Sequence, residues 1–166
     1  PLKVYASGNQ DVNHLNEKYD GMVPDILDNA FVIVDFENGV RAFLDLCMFA
    51  ENSEFQEELC AVGTLGKVET EVPSNKSGIA SSDIRIGLRE ITPALKETIA
   101  VDPKILEAGN HHGSTYYEHQ SFISAIRNNT KPEVSLNDGL IAVAIGEAAE
   151  ISIKEGRVVQ MSEFNL

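Results

Sequence analysis

The stretch AFVIVDFENGVRAFLDLCMFA, residues 30–50, decides the fold class. Two runs rich in β-branched and aromatic residues flank Asn38-Gly39, a pair that suits the tight turns of β-hairpins. The stretch therefore reads as one long antiparallel hairpin from Ala30 to Ala50. Side chains alternate across a strand, so Val40, Ala42, Leu44, Leu46 and Met48 fall on one face. Phe43, Cys47 and Phe49 fall on the other, with Arg41 and Asp45. Both faces are partly apolar. A sheet of that kind must be covered on both sides, one by helices of its own chain and the other by a partner subunit or domain.

Upstream, Leu2, Val4 and Tyr5 already alternate as a strand would. Downstream, Glu54 to Val62 and Lys67 to Val72 read as strands joined by a GTLG turn, and PSNKSG (residues 73–78) reads as a surface loop. Ile84 to Leu88 and Leu95 to Val101 continue the strand habit more weakly. After Gly113 the period changes. Thr115 and Glu118 have capping-box spacing, and His119, Phe122, Ile123 and Ile126 follow on one helical face, giving a helix to Asn128 or Asn129. A second box, Ser135 with Asp138, opens LNDGLIAVAIGEAAEISIKEG, which Gly156 closes in the left-handed conformation. The small residues Ala142, Ala144, Gly146, Ala148 and Ala149 suit close packing of that helix on a sheet. Arg157 to Met161 reads as a final strand. Many antiparallel strands followed by helices give an α+β class, an open and mostly antiparallel sheet with helices on one face. Residues 1–166 read as a single domain without internal boundary or repeat.

With 13 Lys plus Arg against 26 Asp plus Glu, the chain carries a formal charge of -13, which repels phosphate backbones and anionic lipid. Nucleic-acid and peripheral-membrane roles are disfavoured, and no apolar run is long enough to cross a bilayer. Cys47 and Cys60, in LDLCMFA and EELCAVG, read as core residues of a protein in the reducing cytoplasm.

GxGxxG, P-loop, HExxH, CxxC and GxSxG patterns are all absent from the sequence. Reactive side chains concentrate in GNHHGSTYYEH, residues 109–119, at a helix start. Imidazole exchanges protons near neutral pH, and hydroxyl and phenol groups hydrogen-bond polyols, so the segment has the chemistry of a sugar pocket. Each residue also has a plainer reading. His119 shares a face with Phe122 and Ile126 and is read as a core histidine, while Glu118 and Asp138 are read as cap partners. For His111 and His112 the structural and functional readings stand level, and in extended chain the two would point to opposite sides. A zinc site from His111, His112, Glu118 and His119 has suitable donors, but its spacing matches no recognised ligand pattern, and no metal is assigned.

The tail HHGSTYYEHQSFISAIRNNTKPEVSLNDGLIAVAIGEAAEISIKEGRVVQM resembles the end of the C-terminal domain of the glucose-fructose oxidoreductase and inositol dehydrogenase superfamily (Gfo/Idh/MocA). CAVGTLGKVET is similar to that family's strand-Gly-Thr-x-Gly-strand turn, and the combined resemblance runs over most of Ala30 to Met161. The resemblance implies a sheet like that of the C-terminal domain of glyceraldehyde-3-phosphate dehydrogenase, backing a substrate cleft and joining a homo-oligomer through its outer face. It also implies an N-terminal Rossmann domain, absent from this chain, that binds NAD or NADP and passes hydride to or from a sugar or polyol. The family's GxGxxG turn, its EKP-type lysine and its D-x-x-x-H helix would all lie before Pro1. What carries over is the substrate side, where the His-containing segment borders the pocket: His111, His112 and Tyr116. The expectation is a substrate-binding and oligomerisation domain that binds no cofactor and has no activity alone. A standalone binding or assembly module of the same fold is the alternative, and a small metal-dependent hydrolase built on the histidines is a weaker third.

Overall fold

A computed structural model of the chain describes residues 1–74, 77–108 and 111–166. In chain order the elements are β1 (Lys3–Asn9), β2 (Asn29–Asp35), β3 (Arg41–Cys47), β4 (Phe55–Val62), β5 (Gly66–Pro73), β6 (Ser81–Leu88) and β7 (Leu95–Ala100). They continue with α1 (Pro103–Ala108), α2 (Ser114–Asn128), α3 (Leu136–Glu155) and β8 (Val159–Gln160), and short 3-10 turns cover His111–Gly113 and Met161–Glu163. The α+β class is the one the sequence indicates. Among the described residues every strand pair is antiparallel, and the strands are shared between two four-stranded sheets, β3-β2-β1-β8 and β4-β5-β6-β7. The chain divides into two compact units, residues 1–50 with 134–166, and residues 51–133. Among the described residues no helix is long and apolar enough to cross a membrane.

In the first unit the hairpin forms where the sequence places it. Phe36 N–H donates to the Val40 carbonyl and Gly39 N–H to the Phe36 carbonyl, while Gly39 sits at φ 83°, which a side chain would strain. Register puts Ala30, Val32 and Val34 opposite Leu46, Leu44 and Ala42 on one face. Val4 and Ala6 of β1 share that face, and α3 packs over it with Ala144, Ala148, Ala149 and Ser152. The 144-148-152 spacing is one helical stripe of small side chains, which lets the helix axis approach the sheet. Ala142 and Gly146, expected on that stripe, are exposed instead, because they lie on the opposite side of the helix. Ser135 and Asp138 form the reciprocal capping box, and Gly156 closes α3 at φ 64°.

Asp28 ties down the connection between β1 and β2. Its carboxylate accepts from the backbone N–H groups of Asp11, Val12 and Asn13 and from Asn29 Nδ2, at 2.7–3.1 Å. Burial alone pushes this carboxyl up, but the three backbone donors and Asn29 outweigh it and hold the group at about 2.

The outer face of the same sheet carries Tyr5, Phe31, Ile33 and Phe43, all exposed, with the Phe31 and Phe43 rings stacked at 5.9 Å. Cys47 lies on this face and is exposed, which corrects its reading as core: the β2–β3 register turns it away from α3. The final strand is also shorter than expected, since Met161 already begins a 3-10 turn.

The second unit is a four-strand meander followed by α1 and α2. Register gathers Leu59, Ala61, Val68, Ile84, Ile86 and Leu95 on one face. The other face is ionic: Lys96 lies 2.6 Å from Asp83, Arg85 pairs with Glu71, and Lys67 pairs with Glu69. Cys60 belongs to this ionic side and is exposed, again contrary to a core reading. Asp102 starts α1, accepting from Lys104 N–H at 2.9 Å, a short helix that the apolar periodicity of the sequence does not announce.

Candidate functional site

The described part of the reactive segment, His111 to His119, lies in the second unit; Gly109 and Asn110 lie outside the described residues. His111, His112 and Gly113 form a turn in which all three backbones are left-handed, at φ 52°, 55° and 87°. For the two histidines this conformation costs roughly 1–2 kcal/mol each, because Cβ approaches the following carbonyl. The chain here is not extended, so the alternation expected for the pair does not apply. Gly113 is fixed by packing as well as by φ: a Cβ there would stand 2.8 Å from Ile105 and 3.3 Å from Val101.

Gly113 is also the residue that caps α2, with no side-chain hydrogen bond at the cap. The capping box expected from Thr115 and Glu118 is therefore not formed; the helix starts at Ser114, which leaves Thr115 inside its first turn, past the capping position. Tyr116 is half-buried on that turn, and its ring meets Tyr117 edge to face at 5.8 Å. His119 is exposed rather than core, as are Phe122 and Ile126; Ala125 is the residue of α2 that is buried.

The two histidines find different surroundings. His111 Nδ1 lies 2.8 Å from Glu57 Oε1. His112 Nε2 is enclosed and has no hydrogen-bond partner among the described residues, which is uncommon for a buried polar atom. Glu57 comes from β4, at a register shift between Phe55 and Glu57 where the strand bulges against β5. The sequence reading missed this carboxylate. Its signal was present: Glu57 is a charge in the row that continues as Leu59 and Ala61. Among the described residues no three His, Cys, Asp or Glu side chains are gathered as metal ligands, and His111, His112, Glu118 and His119 do not converge.

A hollow of about 460 Å³ at the turn between β4 and β5 is lined mostly by apolar groups, including Val62, Leu65, Val68, Ile86 and Leu88. It lacks the converging polar groups that orient a sugar. The histidine turn brings one polar pair together, His111 with Glu57.

Known proteins place the chain. Among solved structures, an oxidoreductase from Agrobacterium radiobacter in complex with NAD+, L-tartaric acid and magnesium superposes with a TM-score of 0.67 at 19% identity, over 98% of this chain and 44% of that one. Levoglucosan dehydrogenase in complex with NADH and L-sorbose gives 0.69 at 17% identity, over 96% and 44%. An oxidoreductase domain protein from Kribbella flavida gives 0.71 at 17%, again over 96% and 44%. The chain thus spans less than half the length of these neighbours, and at such identities the likeness speaks for the fold. No curated protein matches the chain. The model of the oxidoreductase family's C-terminal alpha/beta domain matches residues 3–161, and the chain belongs to that family.

Proposed function

We propose that this chain is the substrate-side and oligomerisation domain of an NAD- or NADP-dependent sugar or polyol dehydrogenase that works in the cytoplasm. In this reading both compact units act as one domain, and the chain alone is inactive. The observation that carries the reading is the family match over residues 3–161, taken with neighbours whose longer chains hold NAD+ or NADH. Levoglucosan dehydrogenase, bound to L-sorbose, supports a sugar or polyol as substrate.

The residues present do not fit a dinucleotide. Pyrophosphate is held where a parallel strand passes through a glycine-rich turn into a helix. Among the described residues all the strand pairs are antiparallel, and β7 reaches α1 through Val101 and Asp102 with no glycine. Binding of NAD or NADP and the hydride step therefore belong to a Rossmann domain outside this chain. The task left here is to meet the sugar or polyol, with His111, His112 and Tyr116 as its contacts.

The outer sheet face of Tyr5, Phe31, Ile33 and Phe43 supports self-association, because a contiguous apolar surface of this kind is costly to leave in water. An immunoblot of the source cell tests the whole reading. A native product at about twice the 18.1 kDa of this chain or more fits the split dehydrogenase, since a second domain adds about that mass. A band at 18.1 kDa overturns it in favour of a binding or assembly module.

A further inference from the structure

Glu57 and His111 are 54 residues apart in sequence, and a bulged strand and a left-handed turn bring them within 2.8 Å. Their side chains are 43% and 60% exposed, so the pair adds little stability and does not repay the conformational cost of the turn. What the contact does determine is where the imidazole proton sits. An ionised carboxylate only accepts hydrogen bonds, so the nitrogen facing Glu57 must be the one that bears hydrogen. In the neutral ring this makes Nδ1 the donor and leaves the lone pair on Nε2.

We propose that Glu57 is a positioning residue: it locks His111 in the Nδ1–H form so that Nε2 accepts a hydrogen bond from a substrate hydroxyl. The inference rests on the reading of His111 as a substrate contact and adds a residue and a tautomer to it.

The test is nitrogen-detected NMR of the full chain with labelled histidine, above the ordinary histidine range, on wild type, Glu57→Ala and Glu57→Gln. The chain has four histidines, assigned one at a time by His→Gln variants. In wild type His111 is expected as Nδ1–H, with Nε2 unprotonated. In Glu57→Ala it should return to the Nε2–H form that imidazole prefers in water, and in Glu57→Gln, whose amide both donates and accepts, it should be mixed. Titration with sorbitol and myo-inositol should move His111 Nε2 and the Tyr116 ring, and Glu57→Ala should weaken binding roughly 2- to 10-fold, the loss of one hydrogen bond. Unchanged amide spectra away from the turn confirm that the variants fold.

An Nε2–H form of His111 in wild type, or a tautomer indifferent to Glu57, overturns the proposal whatever the polyol does. Polyol binding that moves Tyr116 but is equally tight in Glu57→Ala overturns it too, and leaves the substrate reading intact. A locked tautomer with no response to either polyol removes the substrate role of His111 itself, and the proposal with it.

Discussion

Replacing Ser152 with alanine deletes one oxygen from the first unit and unlinks β1 from the segment that leads into β8. β8 pairs with β1 at Lys3↔Gln160 and Val4↔Val159, and two positions further on the same register would set Ala6 against Arg157. The ladder does not close there. Ser152 Oγ stands between the two, accepting from Ala6 N–H at 2.8 Å and donating to the Arg157 carbonyl at 2.6 Å. Ser152 is 0% exposed, so in Ser152→Ala no water replaces the hydroxyl at Ala6. One orphaned buried N–H costs about 1–3 kcal/mol; the carbonyl, on a more exposed residue, is satisfied by solvent. Alanine is the better helix former by about 0.5 kcal/mol, which leaves a net loss of about 0.5–2.5 kcal/mol. For a chain of this size that lowers Tm by roughly 1–10 °C. The decisive assay is amide exchange at Ala6. Its protection should fall by one to two orders of magnitude in Ser152→Ala and be kept in Ser152→Thr, which retains the hydroxyl. Equal protection at Ala6 in all three proteins would refute the relay.

Three further outcomes are expected. Asp28 titrates at about 2 in the fold against an ordinary 3.8, so the unfolded chain binds more protons between those values and stability must decline as pH falls through them; thermal melts from pH 5 to 2 should show the decline, and Asp28→Asn should flatten it. Gly66→Ala places a Cβ 2.2 Å from the Gly87 carbonyl oxygen, so β5 and β6 must separate locally; circular dichroism and amide exchange should show loss of the β5–β6 pairing, and an intact pairing contradicts the geometry. On the outer sheet face, Phe43→Asp breaks the Phe31–Phe43 stack and should convert an associating chain to monomer in sedimentation velocity, whereas a wild type that is already monomeric at high concentration removes the oligomerisation role.

The fold was legible wherever a local rule and the tertiary packing agreed. Asn38-Gly39 between alternating runs specifies a hairpin by turn geometry alone, and Ser135 with Asp138 specifies a helix start through two reciprocal hydrogen bonds. Both need only residues close in sequence. The failures share the opposite property. Cys47 and Cys60 sit in apolar runs, but which face of each strand is covered depends on register with β2 and β5, and that is set by partners far along the chain. Thr115 and Glu118 have the right spacing for a cap and lose the position to Gly113, whose left-handed backbone turns the chain two residues earlier. Ser152 shows the same limit more sharply. Its neighbours are Ile151 and Ile153, and nothing local distinguishes a hydroxyl that completes a sheet from one that faces solvent.

At the candidate site the same division separates residue type from residue role. The density of reactive side chains in residues 109–119 draws attention to the segment, and the family resemblance is what narrows it to His111, His112 and Tyr116. Neither reveals that the two histidines occupy consecutive left-handed positions, nor that one faces a carboxylate while the other is enclosed without a partner among the described residues. Glu57 is the telling case. Alternation along β4 places it with Leu59 and Ala61, where a charge is out of keeping with its row. A polar residue that breaks an apolar row is either an unsatisfied liability or the partner of something distant, and only the three-dimensional arrangement shows that the partner is an imidazole 54 residues away. In sheet-and-helix proteins of this kind, a charge that interrupts the apolar face of a strand is therefore a reason to look for a titratable partner at a helix start. Each such pairing carries a tautomer prediction, and the tautomer can be measured without knowing the substrate.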